Sequence, residues 1–321
     1  MQETPDHETL KTLSAGIFIT LLLVLVSATI PFIGFVSSWF IPLPILFYRT
    51  RLNRKKAAII PAAVILLLII IAKGFSPDII LFAGLMVLGF LLSESFEMNF
   101  SIDRTILFSC GGVLLTGCFA LFFYSIFVNT GFIDLITGYV DKNLSLTIAL
   151  YKEMGVPEEA LATISESREQ WVFILTRILP GLSAAMLIFT AWINILIAGS
   201  IFAKHNINFA DYGKLKLWKA PDQFIWVTII SALALMIPVE AINIISLNFI
   251  LVLLLVYFFQ GIAITSFYFD KKKFPRGLRI ILYGLIMLQS ILKIFIIGIG
   301  FFDMWVNFRK TGVDKTGTLN D

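Results

Sequence analysis

The sequence predicts an all-α fold, a polytopic transmembrane helical bundle of eight or nine spans. Ala241–Phe269 runs twenty-nine residues without a charge, and about 20 apolar residues carry a helix across the hydrocarbon core of a bilayer. Several comparable runs surround it. Across 321 residues the hydrophobic content is 58% and the mean hydropathy +0.91, which leaves no room for a separate soluble domain of ordinary size. The 31 Phe and six Trp suit a lipid-facing surface with aromatic ends.

The spans follow in chain order. Thr12–Tyr48 is uncharged, yet as one helix it would measure about 55 Å, well beyond a bilayer. Pro31 and Gly34 divide it into a span near Leu13–Ile30 and a shorter one near Phe35–Tyr48. Ala57–Ala72, Ile79–Leu92, Thr105–Val128, Trp171–Ala203, Phe224–Val239, Ala241–Phe269 and Ile280–Phe302 bring the candidates to nine. The fourth is short and suits a re-entrant or little-tilted segment. Residues 1–11 are then an N-terminal tail, 12–302 a single transmembrane domain, and 303–321 a C-terminal tail.

Orientation follows from Lys and Arg in alternate connections. Lys11, the bases of 49–56, Arg104, the four of 204–222 and the five of 270–279 give sixteen on one side. Lys73, Lys142, Lys152 and Arg168 give four on the other. The richer set is expected on the cytoplasmic side of a bacterial inner membrane, with the N-terminus. The opening MQETPDHETLK lacks a basic n-region and reads as a cytoplasmic tail, not a cleaved signal.

The outer connection, residues 129–170, carries seven acids against three bases. Gly155-Val156-Pro157-Glu158-Glu159 reads as one helix ending and another starting, with Pro at the first turn and acids at the positive end of the dipole. Two short amphipathic helices are expected there.

Bases in short loops between apolar runs do not make a nucleic-acid surface. His7, His205, Cys110 and Cys118 cannot assemble a metal site, and no metal or other cofactor is expected. There is no Gly-rich phosphate loop, His-Glu-x-x-His or Gly-x-Ser-x-Gly, so the expectation is a non-enzyme. Asp314-Lys315-Thr316-Gly317-Thr318-Leu319 resembles the phosphorylation motif of P-type ATPases, but a nucleotide-binding domain must follow that motif for it to work.

Polar groups inside apolar runs are costly and mark candidate sites. Arg177 lies about two turns inside the sixth span, before Pro180-Gly181. Glu240, Asn243 and Asn248 lie near the outer ends of spans seven and eight. Together the four could line an outward-facing polar pocket; the alternative has Arg177 snorkelling to lipid phosphate. Gln260 sits mid-span, and Gln289 and Lys293 share one face of the last span. For these three the alternative is an interhelical hydrogen bond without a ligand. Asp303 and Arg309 are six apart, so a straight helix puts them on largely different faces. An interfacial helix is therefore expected, with Trp305 and Phe308 in the headgroups and both charges solvated. A bend after Phe302 would instead let them pair.

The second half carries a distinctive pattern. It comprises Ile178-Leu179-Pro180, Asn194, Trp218-Lys219-Ala220-Pro221 with Trp226, Tyr257-Phe258-Phe259-Gln260-Gly261-Ile262-Ala263, and Gly300-Phe301-Phe302-Asp303-Met304-Trp305-Val306-Asn307-Phe308-Arg309. This resembles the YybS-like family of uncharacterised bacterial membrane proteins. That family is distantly similar to the substrate-binding components of energy-coupling-factor transporters, and Ile41-Pro42-Leu43-Pro44 before a basic loop resembles their early segment. The resemblance implies a bundle that binds a small solute or lipid-like ligand within an uptake system. ATP hydrolysis would come from partner subunits such as an ATPase module. The chain departs from those components in predicting more spans than their usual six. Similarity of helix arrangement to the rod-shape protein MreD keeps a second expectation, a non-transporting scaffold for envelope assembly or division.

Overall fold

The computed structural model describes residues 6–205 and 212–309, and among them every regular element is helical. The chain divides into two compact units, Met1–Arg177 with Met186–Asp211, and Ile178–Ala185 with Tyr212–Asp321.

The first unit contains α1 (Asp6–Thr29), α2 (Ile33–Ser38), α3 (Pro42–Arg51), α4 (Arg54–Ala57), α5 (Ile59–Ile71), α6 (Pro77–Glu97), α7 (Ile102–Phe127), α8 (Phe132–Glu153), α9 (Glu158–Glu166) and most of α10 (Arg168–Lys204). Val24, Ile41, Ile45, Ile60, Val64 and Met86 are buried among α1, α3, α5 and α6. Gly89 sets the crossing of α3 and α6, because a Cβ there would strike the Pro42 carbonyl. The expected break at 155–157 is present. Gly155 adopts φ +79°, Pro157 precedes α9, and Lys152 spans the joint to Glu158 at 2.6 Å. The helix before it is longer than expected, at 22 residues.

The second unit contains the α10 segment Ile178–Ala185, a 3-10 turn at Leu215–Leu217, α11 (Gln223–Ala234), α12 (Glu240–Lys271), α13 (Arg276–Leu288) and α14 (Ser290–Val306). α12 packs antiparallel on α14 with backbones almost touching. A Cβ on Gly261 would overlap the Ile296 carbonyl, and one on Gly300 would overlap that of Tyr257. Small residues at such a contact let dispersion and Cα–H···O contacts replace the hydrophobic drive that lipid removes.

The polytopic helical class stands, but the count of eight or nine spans is corrected. Among the described residues five helices, α1, α6, α7, α10 and α12, are long and apolar enough to cross a membrane, and a sixth crossing results if α13 and α14 count as one. That pair is bent by 101° at Gln289. Three predicted spans are too short as helices. Phe35–Tyr48 breaks between α2 and α3, α5 has 13 residues, and α11 ends at Ala234 after 12. The fourth predicted span errs the other way, since α6 continues through Glu94 to Glu97. The last helix runs to Val306, past the boundary expected at 303. The Asp314–Leu319 motif lies outside the described residues.

Exposed apolar side chains cover these helices, Phe127, Met236 and Leu288 each by 80% or more of their surface. In water that would be an aggregation hazard; in a bilayer it is the expected surface.

Candidate functional site

The second unit gathers much of the distinctive motif into one buried polar cluster. α14 ends at Asn307, which takes the left-handed conformation (φ 44°, ψ 66°) that Asn tolerates better than most residues. The reversal lets Asp303 Oδ1 accept from the Phe308 backbone N–H at 2.9 Å. Arg309 then returns to donate from Nη2 to Asp303 Oδ2 at 2.7 Å. The expected interfacial helix with solvated charges is thereby corrected. Asp303 and Arg309 are 2% and 6% exposed, and the bend comes at Asn307, not after Phe302. Only Trp305 keeps the expected exposed position.

Five further bonds complete the cluster. Gln260, fully buried on α12, donates from Nε2 to Asp303 Oδ2 at 3.1 Å and accepts the Ala220 N–H at 3.2 Å. Arg309 Nη1 donates to the Trp218 carbonyl at 2.7 Å and the Lys216 carbonyl at 3.3 Å. Tyr268 Oη donates to the Phe308 carbonyl at 2.7 Å. The carboxylate thus receives three donors, and both terminal guanidinium nitrogens of Arg309 are matched by oxygens. Chemically this is a clamp that fastens the 216–220 segment and the reversed chain end onto α12 and α14.

The other candidate residues divide. Asn248 accepts the Gly181 N–H at 2.5 Å and donates to the Ile244 carbonyl at 2.8 Å, making it a helix–helix joint beside the Pro180 position. A Cβ on Gly181 would meet the Asn248 backbone at 2.8 Å, so only Gly allows this crossing. Asn243, in the first turn of α12 with exposed Glu240, keeps its Oδ1 buried without a hydrogen-bond partner among the described residues. Arg177 belongs to the first unit and lies over the Phe173 ring, 3.2 Å from its centroid. Gln289 is exposed at the α13–α14 elbow without capping α14, and Lys293 is half-buried one turn on. Trp226 is exposed and Pro221 half-buried.

Two hollows open on the surface of the first unit. One, of about 430 Å³, lies beside the α1–α2 hairpin; the other is lined by Glu169, Gln170, Phe173 and Ile174. Neither includes a candidate residue. Among the described residues no group of three or more His, Cys, Asp or Glu is placed to hold a metal ion.

A match to the family described as Predicted membrane protein (DUF2232) runs over residues 18–304. The chain belongs to this family. No curated protein and no solved structure matches it. The DUF2232 match includes Gln260, Gly261 and Asp303 and ends before Arg309, the arginine that closes the clamp.

Two features of this DUF2232 protein escaped the sequence reading. Arg49, counted there among loop bases, is buried and donates to Glu94 at 2.7 Å and Glu97 at 2.8 Å. The signal was available in the acids 94 and 97, which end one apolar run much as Arg49 ends another. The second is the α2–α3 break. Asn194 Nδ2 donates to the Trp39 carbonyl at 2.7 Å, satisfying a backbone acceptor that the interrupted helix releases.

Proposed function

We propose that this DUF2232 protein is a non-enzymatic, multi-pass protein of the bacterial cytoplasmic membrane that binds a small solute or lipid-like ligand within an uptake system. The reading rests on Asn243. Its Oδ1 is buried at the first turn of α12 and unpaired among the described residues, and an acceptor left so costs about 1–3 kcal/mol. A ligand donor at that position removes the cost. The α13–α14 elbow adds support, because interrupted helices in transporters present backbone groups to substrate, and Lys293 supplies a cation near it. Five or six spans by length also bring the chain near the usual six of energy-coupling-factor substrate-binding components, which the motif pattern resembles. Coupling to ATP hydrolysis falls to partner subunits.

The test is gentle purification followed by mass spectrometry of bound small molecules and partners. Wild-type protein is expected to retain a metabolite or lipid that Asn243→Leu loses while staying folded. Retention unchanged by that substitution rejects the reading.

A scaffold for envelope assembly is the second reading. It is favoured by the use of Gln260 and Asn248 in helix–helix bonds, which removes two polar groups from any ligand. Envelope-synthesis partners without a bound small molecule would select it.

A further inference from the structure

The turn between α12 and α13 has a charge arrangement that packing leaves unbalanced. Residues 270–279 contain one acid, Asp270, and five bases. Asp270 is paired twice: Lys216 Nζ reaches Oδ2 at 2.7 Å and Arg279 Nη1 bonds to Oδ1. Arg279 is held further by the Phe274 carbonyl at 2.9 Å and the Phe269 carbonyl at 3.2 Å. The acid is therefore doubly neutralised. Lys271, Lys272, Lys273 and Arg276 are all exposed, and none has an acidic partner within ion-pair distance among the described residues.

These charges stand on a fixed support. Lys273 N–H bonds to the Asp270 carbonyl at 3.0 Å and Phe274 N–H to the Phe269 carbonyl at 2.9 Å. The Phe269 and Phe274 rings stack with centroids 5.2 Å apart. Following the turn in the chain, α13 exposes Leu278, Ile281, Leu285 and Leu288, a spacing that places them on one helical face. Thirteen residues of helix extend about 20 Å, close to the thickness of one leaflet's hydrocarbon, about 15 Å.

From this juxtaposition we infer that the 271–276 turn and the exposed α13 stripe form a binding surface for an anionic phospholipid. Lys271, Lys272, Lys273 and Arg276 hold the headgroup, and the Leu278–Leu288 face lies along the acyl chain. A zwitterionic lipid presents its own cation to the same four bases, and a soluble anion leaves the stripe unused. The anionic lipid alone matches both halves.

The experiment uses the full chain reconstituted in phosphatidylcholine bilayers with trace spin-labelled phosphatidylglycerol or phosphatidylcholine, reading the motionally restricted fraction of each. Wild type is expected to favour phosphatidylglycerol, with the preference falling as salt rises. Neutralising the turn (Lys271→Gln, Lys272→Gln, Lys273→Gln, Arg276→Gln) is expected to reduce the preference about tenfold. Keeping the charge (Lys271→Arg, Lys272→Arg, Lys273→Arg) is expected to preserve it, and this variant holds the test open should the neutral one misfold. Ile281→Ser with Leu285→Ser is expected to weaken retention of long-chain phosphatidylglycerol. A preference that survives neutralisation overturns the inference, as does full displacement of the lipid by glycerol phosphate, which would identify a soluble-anion site.

Discussion

Asp303 and Arg309 meet at 2.7 Å although six residues separate them, because Asn307 reverses the chain between them. Removing one partner of a buried pair strands the other charge, at about 3–5 kcal/mol. Arg309→Met and Asp303→Asn are each expected to lower the unfolding temperature in mild detergent, since each strands the opposite charge and Asn keeps an oxygen for only one of the Gln260 and Phe308 donors. The double variant should be less destabilised than the two single losses combined. Additive losses would show that the pair does not act as a unit.

The α12–α14 contact permits a comparison among glycines. Gly261→Ala and Gly300→Ala force backbones apart and are expected to cost about 1–3 kcal/mol. Gly284 and Gly298 have nothing within 4 Å of a Cβ placed on them, so Gly284→Ala and Gly298→Ala should be neutral or slightly stabilising. Unfolding of the four variants under identical conditions decides the matter, and equal effects would reject the close crossing.

In the first unit, Arg49→Met leaves Glu94, 7% exposed, with only the exposed Arg54 at 3.3 Å, with an expected loss of about 1–3 kcal/mol. Glu97, 56% exposed, can turn to water. Glu97→Gln should therefore cost under about 1 kcal/mol. Matched thermal unfolding of the two variants supplies the check.

A pH dependence follows from Asp141. Its hydrogen bond from Arg168, at 2.7 Å, holds the carboxyl below the usual Asp range. A depressed carboxyl stabilises the fold above its unfolded value, about pH 4, and that contribution is lost as pH falls through the folded value. Wild type and Asp141→Asn should differ at neutral pH and converge in acid. A gap that widened on acidification would contradict the assignment.

The sixteen-to-four distribution of bases predicts that cysteines placed at Lys142 and Lys272 label from opposite sides of the membrane. Cys118 is exposed and Cys110 buried, so both should first be replaced. Labelling from the same side would reject the orientation.

Long uninterrupted apolar runs were legible in the sequence. Thr105–Val128 and Trp171–Ala203 lie within three residues of the ends of α7 and α10, because a helix in lipid must satisfy its own backbone. Phe35–Tyr48 is equally apolar, yet it breaks at Trp39, whose carbonyl is met by Asn194 from 155 residues away. Hydropathy counts residues and has no access to such a partner. The same limit shortened the fourth span at Leu92, since Glu94 reads as a loop residue until Arg49 neutralises it. At the candidate site the motif residues were legible as a set, but their assembly depends on one left-handed residue, Asn307. Spacing in a straight helix placed Asp303 and Arg309 apart.

Gly261 faces Ile296 while Gly300 faces Tyr257, so each helix carries a notch cut to the other's carbonyl. Sliding α14 along α12 by one turn would bring Tyr257 or Thr265, and Ile296 or Met304, from the same helix faces into gaps sized for hydrogen. The pair is indexed in register, like a ratchet with a single tooth. Axial piston motion between these two helices is blocked, and any working movement must carry them together or rotate them about their shared contact.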